Sequence, residues 1–128
     1  MDAYIKFKEN VTEDDSYNLK QLADLIQEDC DLSVNLEKQD AKPGVKDGGL
    51  AIGIAIASFP LTAIQTLISV LQYWQSKPPK YSLYLIIDNH PPLLIDNLSI
   101  EEMKFNVISQ LQAQSDFKHI NIQISRNR

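Results

Sequence analysis

Asp88, His90 and Asp96 crowd one short stretch, LIIDNHPPLLIDN, and come nearest in this chain to a carboxylate–imidazole–carboxylate arrangement. A metal centre requires three or four convergent ligands at defined spacing. Here Asp88 and His90 flank a Pro-Pro turn, where polar residues serve as ordinary turn formers. Cys30 lies between Asp29 and Asp31, and negative neighbours raise a thiol's pKa and so suppress the nucleophilic thiolate. Gly48, Gly49 and Gly53 do not form a phosphate loop, because the Lys-Ser/Thr pair that should follow is missing. Glu101 and Glu102 follow Ser99 at a helix start and are accounted for by capping and the helix dipole. His119, beside Lys118 at the head of the last apolar alternation, reads as a solvent-facing edge residue. The expectation is a protein that is not an enzyme, with no catalytic, cofactor-binding or metal residues.

The elements that would position any site fit one domain spanning residues 1–128. That length can bury a single core without disulfides or metals, and the 44% hydrophobic and 23% charged shares are those of a globular chain. The net charge of -5 argues against nucleic acid as a partner, because phosphate contacts require an excess of Lys and Arg. The one cysteine allows no internal disulfide, and the opening MDAYIKFKENVTEDD lacks the apolar core of a signal peptide. A cytoplasmic location follows as the expectation.

DAYIKFKE alternates apolar and polar positions as a half-buried strand does, with Tyr4 breaking the alternation as though near an edge. Asp14, Asp15 or Ser16 can cap a helix whose apolar face is Leu19, Leu22, Leu25 and Ile26. Leu32, Val34 and Leu36 mark a second strand. YSLYLIID and PLLIDN form a hairpin. Ser99 and Glu102 make a capping box before a helix carrying Met103, Val107, Ile108 and Leu111. Ile120, Ile122 and Ile124 share one face of a last strand. The order β-α-β-α-β-β-α-β predicts an α+β two-layer sandwich, with a mixed or antiparallel sheet of four to five strands and about three helices. In part it is ferredoxin-like, and such folds host many functions.

One segment stands apart: residues 48–76, GGLAIGIAIASFPLTAIQTLISVLQYWQS, contain no charged side chain. It is long enough to span a bilayer. In its second half, however, Ser58, Thr62, Gln65, Ser69, Gln72 and Ser76 recur every three or four residues as a polar stripe, which is costly against acyl chains. That half predicts a soluble amphipathic helix over 61–75, and Pro60 predicts a break before it. LAIGIAIA fits a strand, or a helix with the small-residue stripe Gly49, Gly53 and Ala57. The candidate interaction surface is Leu50, Ile52, Ile54, Ile56, Phe59, Leu61, Ile64, Leu67, Ile68, Leu71, Tyr73 and Trp74. Tyr73 and Trp74 suit a core or an interface equally.

Residues 19–111 resemble the effector-associated constant component family of prokaryotic conflict systems. The likeness lies in LADLIQEDCDLSVNL, PGVKDGGLAIGIAIA, LISVLQYWQSK with its late-helix Trp74, and YSLYLIIDNHPPLLIDNLSIEEM. The chain departs from the family at QSKPPK, where Arg-rich residues are common, and at Phe59-Pro60, where many members have Gly. The resemblance implies a non-catalytic component of a multi-part defence or signalling system. Such a component would couple an effector, for example a protease-like protein, to an ATPase regulator encoded nearby, and homo-oligomers are possible. The alternatives are a membrane-associated component anchored by residues 48–76 and a small-molecule-sensing ferredoxin-like domain.

Overall fold

The computed structural model describes residues 2–38, 50–58, 60–76, 80–86, 91–109 and 119–126. Its elements are β1 (Asp2–Phe7), α1 (Glu13–Cys30), β2 (Val34–Lys38), β3 (Ala51–Ile56), a 3-10 turn (Leu61–Ala63) leading into α2 (Ile64–Gln75), β4 (Tyr81–Ile86), β5 (Leu93–Leu94), α3 (Ile100–Glu102) continuing into a π turn (Met103–Ile108), and β6 (His119–Arg126). The fold is α+β with an open, mixed six-stranded sheet in the order β2-β3-β1-β6-β4-β5. Among the described residues only β1 and β6 pair in parallel, and the other four pairings are antiparallel. β1 and β2 run the same way with β3 between them, and β5 and β6 run the same way with β4 between them. These two split β-α-β arrangements are the ferredoxin-like part of the architecture.

The N-cap of α1 lies two residues before the earliest one expected from sequence. Thr12 is the N-cap: its hydroxyl accepts from the Asp15 amide at 3.1 Å, and Asp15 Oδ2 accepts from the Thr12 amide at 3.1 Å. Asp14, Asp15 and Ser16 therefore sit in the first turn. This frees the Ser16 hydroxyl to accept from the Ala51 amide at 2.9 Å and tie α1 to β3. Leu19, Leu22, Ala23 and Ile26 follow at helical spacing and are all buried. The helix stops at Asp31, which adopts φ 52 and ψ 44. A left-handed C-cap suits glycine, and a carboxylate there opposes the negative end of the helix dipole. Asp31→Gly is therefore expected to stabilise the domain by about 0.5–1.5 kcal/mol, read as a rise in the urea midpoint. An unchanged or lower midpoint refutes it.

α1 packs on β2, β3 and α2, and α2 also meets β4. The core between these layers takes Ile5 from β1, Ile54 and Ile56 from β3, Leu83 and Leu85 from β4, and Ile120, Ile122 and Ile124 from β6. The helices contribute Leu19, Leu22 and Ile26 from α1, and Ile64, Leu67, Ile68 and Leu71 from α2. The alternate residues of the strands, among them Tyr4, Lys6, Tyr84, Asn121 and Gln123, line the opposite face of the sheet. β1 and β6 are thus the two central strands, so neither Tyr4 nor His119 lies at an edge. His119 is exposed because it occupies the face opposite the core, where its ring meets Tyr4 edge-on at 6.3 Å.

The uncharged segment divides at Pro60. Residues 51–56 form an interior strand paired on both sides, which decides for the strand between the two conformations that LAIGIAIA allowed. Gly49 lies outside the described residues, and Gly53 and Ala57 make no helix–helix stripe. Gly53 is small for a different reason. A Cβ there would come within 3.2 Å of the Ile5 carbonyl oxygen and of Lys6 Cγ, and within 3.3 Å of Glu37 Oε2. The missing side chain leaves room for the 3.3 Å ion pair between Lys6 and Glu37. Beyond Ser58, which has φ 55, the 3-10 turn and α2 follow, so the predicted break and the predicted helix are both present. Among the described residues no helix is long and apolar enough to cross a membrane.

Candidate functional site

Most of the apolar residues expected to form an interaction surface belong to the core. Ile54, Ile56, Ile64, Leu67, Ile68 and Leu71 are at most 1% exposed, so no partner reaches them in the folded chain. This corrects their assignment to a surface, and burial between sheet and helices is its physical reason. Leu50 and Ile52 are half-buried, Leu61 opens the 3-10 turn, and Phe59 lies outside the described residues. Tyr73 and Trp74 remain, and adjacent positions on a helix point about 100° apart. Trp74 is 9% exposed and faces inward, while Tyr73 is 52% exposed.

Trp74 stacks on Tyr81 with ring centroids 5.0 Å apart and planes 4° apart, and its indole N–H donates to the Asn18 carbonyl at 3.1 Å. Phe7 meets Tyr81 edge-on at 5.5 Å. Gln72 holds the far side of α2 by donating to the carbonyls of Ile95 at 2.9 Å and Leu98 at 2.8 Å. These contacts fix the end of α2 against α1. They leave a groove of about 350 Å³ between the two helices, lined by Gln21, Asp24, Leu25, Glu28, Tyr73 and Trp74.

Gln21, Asp24, Leu25 and Glu28 are spaced i, i+3, i+4 and i+7, so they form one continuous stripe along α1. The two carboxylates lie one turn apart and have no hydrogen-bond or ion-pair partner among the described residues. Tyr73 faces them from α2, an element without charged residues whose last turn contributes partial negative charge. Sequence reasoning found Tyr73 and Trp74 but missed the α1 wall. Its signal was there, in the 21/24/25/28 stripe beside the core stripe 19/22/26.

A second cleft, of about 430 Å³, is lined by Thr12, Asp14, Asp15, Asn18, Lys80, Tyr81 and Arg126. Tyr81, Asp15 and Asn18 are hydrogen-bonded to one another there. Tyr81 donates to Asp15 Oδ1 at 2.8 Å and accepts from Asn18 Nδ2 at 2.8 Å. Arg126 Nε lies 3.2 Å from Asp15 Oδ2, within ion-pair range but without hydrogen-bond alignment, and its Nη2 donates to the Asn10 carbonyl. Burial above all pushes the Tyr81 phenol up to about 12, with the Asp15 carboxylate adding to the rise, so the hydroxyl stays a donor at any ordinary pH. This network ties the start of α1 to β4 and β6.

The remaining sequence candidates that fall among the described residues line neither cleft. Asp96 Oδ1 accepts from the Leu83 amide at 3.0 Å and serves the hairpin, while Asp88 and His90 lie outside the described residues. Ser99 caps α3 by accepting from the Glu102 amide at 3.1 Å, which is the N-cap half of the predicted capping box. Cys30 is half-buried with its thiol pKa raised, first by burial and then by Asp29. Among the described residues no group of three or more His, Cys, Asp or Glu side chains could hold a metal.

The class these features define is a two-layer α+β domain with an aromatic–acidic groove on its helical layer. No protein-family model matches the chain, and neither does any curated protein or solved structure.

Proposed function

We propose that this chain is a non-catalytic interaction module that docks a protein partner in the groove between α1 and α2. The observation that carries this reading is Tyr73. It is a large aromatic side chain held 52% exposed at the end of α2, at the mouth of a groove whose opposite wall carries two carboxylates without a partner among the described residues. Aromatic side chains are enriched where protein partners dock, and they lose little conformational entropy on contact. The resemblance to the effector-associated constant components points the same way: it makes the partner an effector or an ATPase regulator and the module the link between them.

The test places the photo-crosslinker p-benzoylphenylalanine at position 73, with position 105 as the control, in the cells that encode this chain. Phe105 is 76% exposed and lies away from the groove, on the π turn. Irradiation is expected to join position 73, and not 105, to one discrete protein that re-forms the adduct from purified components. Equal labelling at both positions, or none at 73, overturns the reading.

A further inference from the structure

Resting on that reading, we infer that the docked segment of the partner presents arginine, with its guanidinium laid on the Tyr73 ring and paired to Asp24 and Glu28. The charges select a cation. α1 holds Glu13, Asp14, Asp15, Asp24, Glu28 and Asp29 against the single Lys20, and α2 holds no charged residue at all. A cation in the groove therefore meets two carboxylates from one wall and the partial negative charge of the α2 C-terminus from the other. An anionic partner, nucleic acid included, meets the same field as repulsion.

The aromatic wall distinguishes arginine from lysine. A guanidinium is planar and weakly hydrated, so it can stack on a phenol ring while its edge donates in a fork to a carboxylate. An ammonium is a hydrated point charge that satisfies one demand at a time. Asp24 and Glu28 are i and i+4 on one helix face, so both carboxylates lie beside the same stretch of groove. With about 350 Å³ between the helices, a long side chain can lie along the groove while its backbone stays outside.

The probe is the capped peptide Ac-Gly-Ser-Arg-Gly-Arg-Ser-Gly-NH2, titrated into the full chain and followed by backbone amide NMR shifts. Its twin carries citrulline, which keeps the shape and removes the charge, at both arginines. Shifts are expected to concentrate on residues 21–28 and 73–74, to diminish with added salt, and to require about tenfold more citrulline peptide. The double variant Asp24→Asn/Glu28→Gln should weaken binding by about tenfold. Glu13→Gln/Asp14→Asn removes the same charge from the other end of α1 and should change binding by less than about twofold. Both variants are required to keep the parent's amide spectrum outside the substituted turns.

No binding of the arginine peptide, equal binding of the citrulline twin, or equal losses in the two double variants overturns the inference. The crosslink separates the two claims. If the position-73 adduct forms undiminished in Asp24→Asn/Glu28→Gln, the docking site stands and the arginine does not. If no adduct forms in the parent chain, the docking reading itself fails.

Discussion

Trp74→Ala is expected to cost about 3–5 kcal/mol, a large fraction of the about 5–15 kcal/mol that holds a domain together. The substitution empties a site where the indole is 9% exposed and stacked in parallel on Tyr81. It also leaves the Asn18 carbonyl without the donor that reaches it at 3.1 Å. Because Trp74 sits where α1, α2 and the start of β4 meet, the cavity opens between layers that cannot close over it without moving. Urea unfolding should show a lower midpoint at nearly constant slope. Trp74→Phe keeps a ring on Tyr81 and loses the hydrogen bond, so about 1–2 kcal/mol is expected. A loss below about 1 kcal/mol for Trp74→Ala would mean that the ring is a surface feature and not part of the core. Tyr73→Ala, one residue away but half exposed, should change stability by no more than about 0.5 kcal/mol. The pair of neighbours thereby separates core from exposed surface within a single helical turn.

Asp15→Ala is expected to cost about 2–4 kcal/mol. The carboxylate is almost fully buried and serves three groups: the Tyr81 hydroxyl at 2.8 Å, the Thr12 amide at 3.1 Å and the Arg126 guanidinium at 3.2 Å. Removing it leaves a buried phenol without its acceptor and breaks the capping box at the same time. The Arg126 contribution is the smallest of the three, because its Nε reaches Asp15 without hydrogen-bond alignment. A double-mutant cycle with Tyr81→Phe isolates the hydroxyl–carboxylate bond, and a coupling of about 1 kcal/mol is expected. Strictly additive losses would show that Asp15 acts through the helix cap alone.

Much of the local structure was legible in the residues. The alternation of Ile5 with Lys6, and of Ile120, Ile122 and Ile124 with Asn121 and Gln123, is a period-2 signal that only an extended strand accommodates. Ser99 and Glu102 stood at capping-box spacing, and Pro60 marked the break before α2. The start of α1 was misplaced because Thr12-Glu13-Asp14-Asp15 is a capping box closed by an aspartate, and Asp14, Asp15 and Ser16 are each plausible caps in isolation. LAIGIAIA was open to two readings because alternating Ile with Ala and Gly leaves both a strand face and a helical stripe of small residues.

The sequence by itself determined a small acidic α+β domain with a polar stripe on α2 and a helix boundary at Pro60, since periodicity, caps and charge are local properties. Only the tertiary structure decided what the uncharged residues are for. Pairing on both sides by β1 and β2, under the cover of α1, makes residues 51–56 an interior strand. The Lys6–Glu37 pair crossing over Gly53 explains why that strand is smooth at its centre. Tyr73 and Trp74 looked alike as neighbours in sequence. The turn of the helix placed one against Tyr81 and Asn18 and the other beside Asp24 and Glu28, and which side chains share a groove depends on contacts between helices far apart along the chain.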